Sequence, residues 1–442
     1  MQGRSTATAE RTPRAPAAPA GRIILLMGPA TYRSAAFLTA AERLGLEVVQ
    51  ALDLPDALAA HWHVPLAVDF ANPDQAAERI AAYVAKHPVS AILAIDDGAT
   101  LAAATASARL GLPHNDPASA LAARDKLVMR RQLAAAGVPV PAFRDVPATI
   151  DPATIAAEIG YPCVVKPLRL SGSRGVIRAD NPASFVAAFD RTRRILVDDG
   201  HRPEEISLLV ERFLPGVEIA LEGLLTNGEL RVLALFDKPD PLDGPFFEET
   251  IYVTPSRLPE ATQAAIAHRT AEAAAALGLR EGPVHAELRI NDEGVWPIEL
   301  AGRSIGGLCS TILEFGAGLS LEELILRHAV GLPLPSTERT GAAAGVMMIP
   351  IPRRGILKAV DGQEAACRVP GVTGLEITAK RNYPIVPLPE GSSYLGFIFA
   401  RAETPNAVEA TLRQAHARLQ TRIDPIIELS AVSYQPSARG SS

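Results

Sequence analysis

Short apolar runs alternate with helical patterns at the start of the chain, and this alternation restricts what the chain can fold into. The runs Ile23–Met27, Glu47–Ala51 and Ala91–Ile95 have the length and composition of buried strands, and Ser34–Leu44 has the spacing of a helix. Buried strands that alternate with helices form parallel sheets covered on both faces. The sequence therefore predicts a doubly wound, Rossmann-like α/β domain over residues 22–120.

The turn after the first apolar run does not have the composition of a dinucleotide-binding site. A Rossmann fingerprint needs glycines that let a pyrophosphate approach the backbone. Here Pro29, Ala30 and Arg33 occupy the turn where those glycines would stand. We therefore do not expect an NAD-dependent oxidoreductase, although binding of a small carboxylate at this helix N-terminus stays open.

The composition is that of a globular protein with several domains. A length of 442 residues suggests about three domains, and a hydrophobic fraction of 48% is enough for large cores. Lys and Arg total 43 against 49 Asp and Glu, which gives a net charge of -6. Because broad nucleic-acid binding needs a basic surface, we expect small-molecule substrates and no nucleic-acid partner.

The cysteines and the apolar runs bear on localisation. Cys163, Cys309 and Cys367 are too widely spaced for a zinc site or a disulfide framework, so we expect buried free thiols in a reducing cytoplasm. No apolar run reaches the roughly 18 residues of a membrane span, and we expect no membrane partner. Residues 1–21 lack the apolar core of a secretory signal, which favours a disordered leader over a transit peptide.

The chain beyond the first domain divides into two parts. The first part begins with a helical pattern over Ala122–Ala136 and continues with antiparallel hairpins. The second part has strand patterns and a final helix over Pro405–Thr421. We therefore expect an α+β domain at 121–335, a β-rich α+β domain at 336–430 and a polar tail at 431–442.

Two lysines and a glycine-rich loop in the middle domain are typical of phosphate binding. Lys166 ends an apolar run, where a buried ammonium needs an anionic partner. Lys126 lies at a helix start, where a solvated lysine is the ordinary alternative. The loop Ser171-Gly172-Ser173-Arg174-Gly175 can turn backbone N–H groups toward an anion, but it is equally an ordinary hairpin loop and lacks the G-K-[ST] of a Walker A motif.

Two acidic patterns follow these cations. Glu211 and Glu218 flank Phe213-Leu214-Pro215-Gly216, which is either a plain turn or a connector whose backbone holds adenine while Glu218 accepts from ribose hydroxyls. Glu287 and Glu299 lie on successive strands joined by a short turn, and cross-strand neighbours can share an ion. A hard cation such as Mg²⁺ is the natural reason to pair two carboxylates.

In this order the features resemble the ATP-grasp superfamily. Two lysines, a glycine-rich loop, an acidic connector, paired glutamates and Arg303 follow one another over about 120–330. No single motif is specific, but the ordered set is. The resemblance implies an ATP-grasp fold with a two-lobed ATP-binding domain, together with the cofactors ATP and two Mg²⁺ ions, for which Mn²⁺ can substitute.

The resemblance also assigns roles to individual residues. It implies that ATP is bound by Lys126, Lys166, Ser171, Gly172, Ser173, Gly175, Glu211, Phe213, Leu214, Glu218 and Lys238. It implies that Glu287 and Glu299 bind Mg²⁺, that Glu299 and Arg303 are catalytic, and that His285, Arg303, Gly306 and Gly307 contact the substrate. Ala301 stands where many members carry an asparagine that ligates metal, so the second ion would gain a water or bind more weakly.

Within the superfamily, three segments are similar to L-amino-acid ligases, which make dipeptides. These segments are Gly282–Glu287, Pro352–Lys358 and Tyr394–Arg401, and the loop Phe236–Ser256 is expected to lie over the site. The resemblance implies an enzyme that phosphorylates a carboxylate with ATP and passes the acyl group to an amine, releasing ADP and phosphate. A homodimer is its candidate assembly.

Two alternatives stay open. A ligase of purine synthesis, similar to glycinamide-ribonucleotide synthetase, would need a second phosphate pocket, for which Arg353 and Arg354 are candidates. A nucleotide-binding regulator without turnover is the other alternative, which Ala301 keeps open.

Overall fold

The N-terminal part is a parallel sheet with helices on both faces. The computed structural model describes residues 21–29, 31–316 and 318–426, so the expected leader (apart from Gly21) and the expected tail lie outside the described residues. The elements are β1 (Arg22–Met27), α1 (Ser34–Leu44), β2 (Glu47–Asp53), α2 (Asp56–His61), β3 (Leu66–Val68), α3 (Pro73–Val84), β4 (Ala91–Ala94) and α4 (Thr100–Leu110). The strands pair in parallel in the order β3-β2-β1-β4, which confirms the predicted doubly wound sheet.

Alternate residues of β1 pack against helices on opposite faces of this sheet. Ile23 and Leu25 pack with Phe37 of α1, and Ile24 packs with the alanines of α3 and α4. Glycine in the left-handed region ends α1, because Gly45 has φ +67° and its N–H caps the last turn.

The middle part begins with two helices where one was predicted. It contains α5 (Pro117–Arg124), α6 (Lys126–Ala135), β5 (Phe143–Pro147), α7 (Pro152–Ile155), β6 (Cys163–Pro167), β7 (Ile177–Ala179), α8 (Pro182–Asp198) and β8 (Ser207–Arg212). The prediction of one continuous helix over Ala122–Ala136 is wrong, because α5 ends at Arg124 and α6 begins at Lys126. Asp125 leaves the helical conformation, and its carboxylate accepts from the N–H groups of Leu127 and Val128, which starts a new helix with Lys126 in its first position.

An eight-stranded sheet connects the middle part to the C-terminal part. The elements that follow β8 along the chain are β9 (Val217–Thr226), β10 (Glu229–Asp237), β11 (Ile251–Thr254), α9 (Glu260–Leu277), β12 (Gly282–Asn291), β13 (Gly294–Ala301), α10 (Leu321–Ala329) and β14 (Ala343–Ile349). The sheet order is β13-β12-β9-β10-β11-β14 followed by two further C-terminal strands, and the pairing of β11 with β14 is antiparallel. The C-terminal strands therefore extend the sheet that carries the paired glutamates.

The C-terminal elements are β15 (Gly355–Asp361), α11 (Gln363–Cys367), β16 (Val372–Glu376), β17 (Pro384–Ile385), β18 (Gly396–Ala402), α12 (Pro405–His416) and β19 (Gln420–Asp424). β18 and β16 complete the large sheet, and β17-β15-β19 form a small one. The expected helix Pro405–Thr421 is wrong at its end, since Thr421 lies in β19 and pairs with Val360. Backbone pairing with β15 competes with the helix there.

The three cysteines differ in their burial. Cys163 and Cys309 are buried free thiols as expected, but Cys367 is exposed, because it ends the short surface helix α11. Among the described residues, no helix has the length and apolar character needed to cross a membrane.

Candidate active site

A cavity of about 650 Å³ lies where the parallel sheet, the antiparallel sheet β5-β8-β6-β7 and the large sheet meet. Fifteen of the residues singled out in the sequence line it: Lys126, Lys166, Ser171, Gly172, Ser173, Glu211, Phe213, Leu214, Glu218, His285, Glu287, Glu299, Arg303, Gly306 and Gly307. Gly175 and Lys238 do not line the cavity. The N–H of Gly175 donates to Pro389 O at 2.9 Å, and Lys238 lies behind the cavity wall.

The two lysines reach the cavity from different elements. Lys126 is buried, so it is not the solvated helix-terminal lysine that was the alternative, and its Nζ lies 3.5 Å from Glu299 Oε2. Its ammonium also donates to Leu170 O at 2.9 Å, next to the glycine-rich loop. Lys166, from β6, forms an ion pair with Glu211 at 2.6 Å. Two buried ammonium groups thus line one cavity, which is a favourable arrangement for a polyphosphate.

Glu211 compensates two buried cations. Its carboxylate contacts Arg130 Nε at 2.5 Å through one oxygen and Lys166 Nζ at 2.6 Å through the other. Burial alone would raise the pKa of Glu211, but the charges of Arg130 and Lys166 lower it to about 2. Glu211 is therefore an anion that holds Lys166 in place, and this role was not foreseen in the sequence.

Aromatic and aliphatic side chains form an apolar stretch of the cavity wall next to these lysines. Val164, Val176 and Phe213 form one buried apolar cluster, with Phe247 packed against it, and all four line the cavity. The rings of Phe213 and Phe247 are 6.4 Å apart, centroid to centroid. An apolar wall beside ammonium groups suits a nucleobase followed by phosphates.

The expected cross-strand pairing of the glutamates is confirmed. Glu287 on β12 lies directly opposite Glu299 on β13 in the antiparallel register. Carboxylate oxygens of Glu218, Glu249 and Glu287 also lie within 4.8 Å of one another. Burial raises the pKa of Glu287, and the neighbouring carboxylates of Glu218 and Glu299 raise it further, while Lys238 opposes them. Because these carboxylates repel one another, nearby cations are needed to stabilise their charged forms.

Lys238 supplies one such cation. Its Nζ is 2.9 Å from Glu218 Oε1 and 3.4 Å from Glu287 Oε1, and it also contacts Glu249. The other oxygen of Glu218 accepts from Arg289 Nε at 2.9 Å. Both oxygens of Glu218, the residue expected to bind ribose, thus already have a cationic partner.

Glu249 belongs to the loop between β10 and β11, which was expected to lie over the site. Its carboxylate accepts from Tyr252 Oη at 2.7 Å and lines the cavity. Burial and the nearby Glu287 carboxylate raise the pKa of Glu249 to about 7. Phe247 and Tyr252 of this region line the cavity as well.

A buried carboxylate behind the glutamate pair orients His285. Glu222 on β9 accepts from His285 Nδ1 at 3.2 Å and from the N–H of Ile305 at 3.0 Å. His285 Nε2 lies 3.5 Å from Glu287 Oε1. The contacts of Glu222 therefore place both His285 and the start of the segment that contains Gly306 and Gly307.

Arg303 contacts a carboxylate of the N-terminal part. Its Nε and Nη2 donate to the two oxygens of Asp97, each at 2.8 Å, and Asp97 also accepts from Ser171 Oγ at 3.0 Å. Although burial works against the charged form, Asp97 raises the pKa of Arg303 above its usual value. Asp97 thus connects the parallel sheet, the glycine-rich loop and Arg303.

Several residues that line or support this site were not assigned a role in it from the sequence, although the loop that contains Glu249 was expected to lie over it: Arg33, Asp97, Arg130, Glu222, Glu249 and Arg289. For Asp97 a signal existed, because it follows a buried parallel strand, and ligands of such sheets bind at the carboxyl ends of the strands. Glu222 and Arg289 lie on strands and Arg130 on a helix, and nothing in the sequence marks their partners.

Three protein families match successive parts of the chain. Residues 38–114 match the ATP-grasp N-terminal domain, 159–312 the ATP-grasp domain, and 347–424 the L-amino acid ligase C-terminal domain 2. Together with the fold, these matches define an ATP-grasp protein, as the ordered residues of the sequence predicted.

Individual relatives show which ATP-grasp proteins this chain is similar to. A crystal structure of L-amino acid ligase from Bacillus licheniformis is 27% identical, with a TM-score of 0.76 over 91% of this chain and 98% of that one. The protein y4rH of Sinorhizobium fredii is 26% identical over 92% of this chain and 79% of its own length. Alanine–anticapsin ligase of Bacillus subtilis is 28% identical, but the match spans only half of each protein.

The chain is therefore an ATP-grasp carboxylate–amine ligase, similar to L-amino acid ligases. Proteins of this superfamily in general use ATP and Mg²⁺.

Proposed function

We propose that this enzyme joins the carboxyl group of an amino acid to an amine, in particular the amino group of a second amino acid, through an acyl phosphate. The observation that carries the proposal is the gathering of Lys126, Lys166, the Glu287–Glu299 pair and Arg303 around one cavity. The likeness to L-amino acid ligase along nearly the whole chain supports the substrate class.

The arrangement fits a two-step reaction. A carboxylate is a poor acyl donor, because hydroxide would have to leave. Attack of a carboxylate oxygen on the γ-phosphorus of ATP releases ADP and forms an acyl phosphate. The amine nitrogen then attacks the acyl carbon, and phosphate leaves with the C–O bond electrons while the amine loses a proton. The ammonium groups of Lys126 and Lys166 would bind the phosphates, and the Arg303 guanidinium would offset charge on the moving phosphoryl group.

The acidic residues fit Mg²⁺. Glu287 and Glu299 would hold it, and Glu249 and Glu218 offer further carboxylate oxygens within 4.8 Å of Glu287. Ala301, at the end of β13, offers no side-chain ligand. When bound, Mg²⁺ would reduce the negative charge of the phosphates.

Trapping of the acyl phosphate tests this function. Hydroxylamine should replace the amine and give a hydroxamate, with one ADP per hydroxamate, when ATP, Mg²⁺ and the correct amino acid are present. Arg303→Ala should suppress hydroxamate formation with little change in ATP affinity. Arg109→Ala, which removes an exposed arginine of α4, should not affect it. Release of AMP and pyrophosphate would contradict the proposal, and ATP binding without turnover across all amino acids would favour the regulator.

The alternative of a purine-synthesis ligase receives no support from its expected phosphate pocket. Arg353 and Arg354 do not line the candidate active-site cavity. Arg353 instead donates to the carbonyl oxygen of Ile423 at 2.5 Å. That contact joins parts of the C-terminal domain to each other.

A further inference from the structure

Arg33 is a buried charged residue that the proposed reaction does not use. It stands immediately before α1 and is 8% exposed. Its guanidinium donates to Ile95 O within its own domain, and its Nη2 reaches Ser304 beyond β13, at 3.3 Å from the carbonyl oxygen and 2.6 Å from Oγ. Arg33 therefore joins the N-terminal domain to the segment that carries Arg303.

The acceptor of Arg33 is shared with Arg303. The carbonyl oxygen of Ser304 also accepts from Arg303 Nη1 at 2.9 Å, so one backbone oxygen connects the two guanidinium groups. The Nε and Nη2 atoms of Arg303 donate to Asp97. Arg303 is thus oriented by two contacts, and Arg33 fixes one of them.

Placing two buried guanidinium groups this close is costly without a compensating role. Arg33 and Arg303 repel each other. The carboxylate oxygen nearest to Arg33, on Asp96, is 4.0 Å away, which is too far for a hydrogen bond. The oxygens of Asp96 are shared with the N–H of Gly28 and the hydroxyl of Thr31. An apolar side chain would fill the same space without the repulsion, but it could not bind Ile95 and Ser304 simultaneously. A planar guanidinium can do so.

We propose that Arg33 is a positioning residue for Arg303. By holding the Ser304 carbonyl, it keeps the Arg303 guanidinium in the cavity wall in the orientation that meets the phosphoryl group. The catalytic part of this inference rests on the proposed function. It follows that the N-terminal domain contributes to phosphoryl transfer itself and not only to enclosing the cavity.

The test compares Arg33→Ala, Arg33→Lys and Arg43→Ala in the full-length protein. Arg43 is a matched control, because it lies in the last turn of α1, the helix that Arg33 precedes, but is exposed and pairs with Glu323. Arg33→Ala should lower kcat for hydroxamate formation by about tenfold to a hundredfold, with KM for ATP changed less than about twofold. Arg33→Lys, which keeps the charge but not the fork, should retain an intermediate kcat, and Arg43→Ala should behave as wild type.

Added guanidinium chloride should restore part of the activity of Arg33→Ala, and NaCl at equal ionic strength should restore none. A readout independent of activity is amide hydrogen exchange of the peptide around 302–309, which should be faster in Arg33→Ala than in Arg43→Ala. Wild-type kcat in Arg33→Ala, or a loss that is neither rescued nor accompanied by faster exchange, would overturn the inference. If the wild-type protein forms no hydroxamate with any amino acid, the proposed function fails, and the exchange measurement alone decides whether Arg33 orders this segment.

Discussion

Glu211 lies between two buried cations, and its loss would leave both without a counter-charge. Replacing one partner of a buried ionic network usually costs about 3 kcal/mol or more, because the remaining charge stays desolvated. We expect Glu211→Gln to lower the free energy of unfolding by about that amount at pH 7. Urea unfolding measures this, and the exposed Glu364→Gln serves as a control that should change little.

The same residue gives a pH dependence with a definite sign. The pKa of Glu211 falls from an ordinary 4.5 to about 2 on folding, so its contribution is fully present above pH 4.5 and is lost as the pH falls toward 2. The stability difference between wild type and Glu211→Gln should therefore be constant near neutral pH and shrink between pH 4.5 and 2. A difference that grows on acidification would contradict the assignment.

Glu299 has a chemical role that can be separated from folding. We expect Glu299→Gln to reduce ADP formation by about a hundredfold, which corresponds to about 2.7 kcal/mol of transition-state stabilisation. The thermal unfolding midpoint should change little, since the side chain is 29% exposed and the lost contact with Lys126 is offset by the removal of repulsion between Glu299 and Glu287. Glu293→Gln in the turn of the same hairpin is the control, because Glu293 is exposed and pairs only with Arg212 among the described residues. Wild-type rates for Glu299→Gln at saturating Mg²⁺ would refute the metal assignment.

Residues whose roles depend on local pattern could be predicted from sequence, and residues whose roles depend on distant partners could not. The pairing of Glu287 with Glu299 followed from two strands and a short turn. The partners of Glu211 could not be found in this way, because Arg130 is 81 residues away and on a different element. Long-range compensation of charge is a property of the folded chain.

At the scale of elements, the segment 387–392 contacts the glycine-rich loop 171–175 and α8. Pro389 O accepts from the N–H of Gly175 at 2.9 Å, and Glu390 pairs with Arg191 of α8 at 2.6 and 2.9 Å. These contacts hold the glycine-rich loop against the C-terminal domain. Movement of the loop away from this domain should therefore break them.

We expect Glu390→Ala to expose the loop without unfolding the protein. Both partners of the ion pair are 42% exposed, so its loss should cost below about 1 kcal/mol. Trypsin should cut after Arg174 several-fold faster than in wild type. Asp361→Ala, which breaks an exposed pair with Arg422 in the C-terminal domain, should leave the rate unchanged. Equal cleavage of Glu390→Ala and wild type would show that the pair does not restrain the loop.

Element boundaries were predictable where the local signal had no competitor. The helix Ser34–Leu44 has the bounds that its spacing predicted, and it ends at Gly45, which is in the left-handed region. The prediction failed at Asp125, where a side-chain cap interrupts an otherwise helical pattern, and at Thr421, where pairing with a strand 61 residues earlier begins. In both places an interaction outside the apolar periodicity decides the structure.

At the scale of the whole molecule, the continuous sheet makes the C-terminal strands part of the active-site framework. Ala344, Val346 and Met348 of β14 pack in the same core as Phe236 and Tyr252, and Met348 and Tyr394 line the cavity. Residues 336–430 were expected to form a separate domain, because strand patterns do not specify which strands pair over long distances. Disruption of β14 should therefore also destabilise β13, the strand at the far edge of the sheet.

We expect Val346→Asp to destabilise the entire sheet. Val346 is fully buried, so a carboxylate there should cost at least about 3 kcal/mol, whereas Val217→Asp, at an exposed position of β9, should cost little. In a Trp62→Phe background, Trp296 is the only tryptophan and reports on β13, the opposite edge of the sheet. The urea midpoints of Trp296 fluorescence and circular dichroism should coincide, and Val346→Asp should shift both downward together. If Val346→Asp instead lowers the circular-dichroism midpoint while the Trp296 midpoint stays in place, β14 and β13 belong to independently folding units, and the cavity does not depend on the C-terminal strands for its stability.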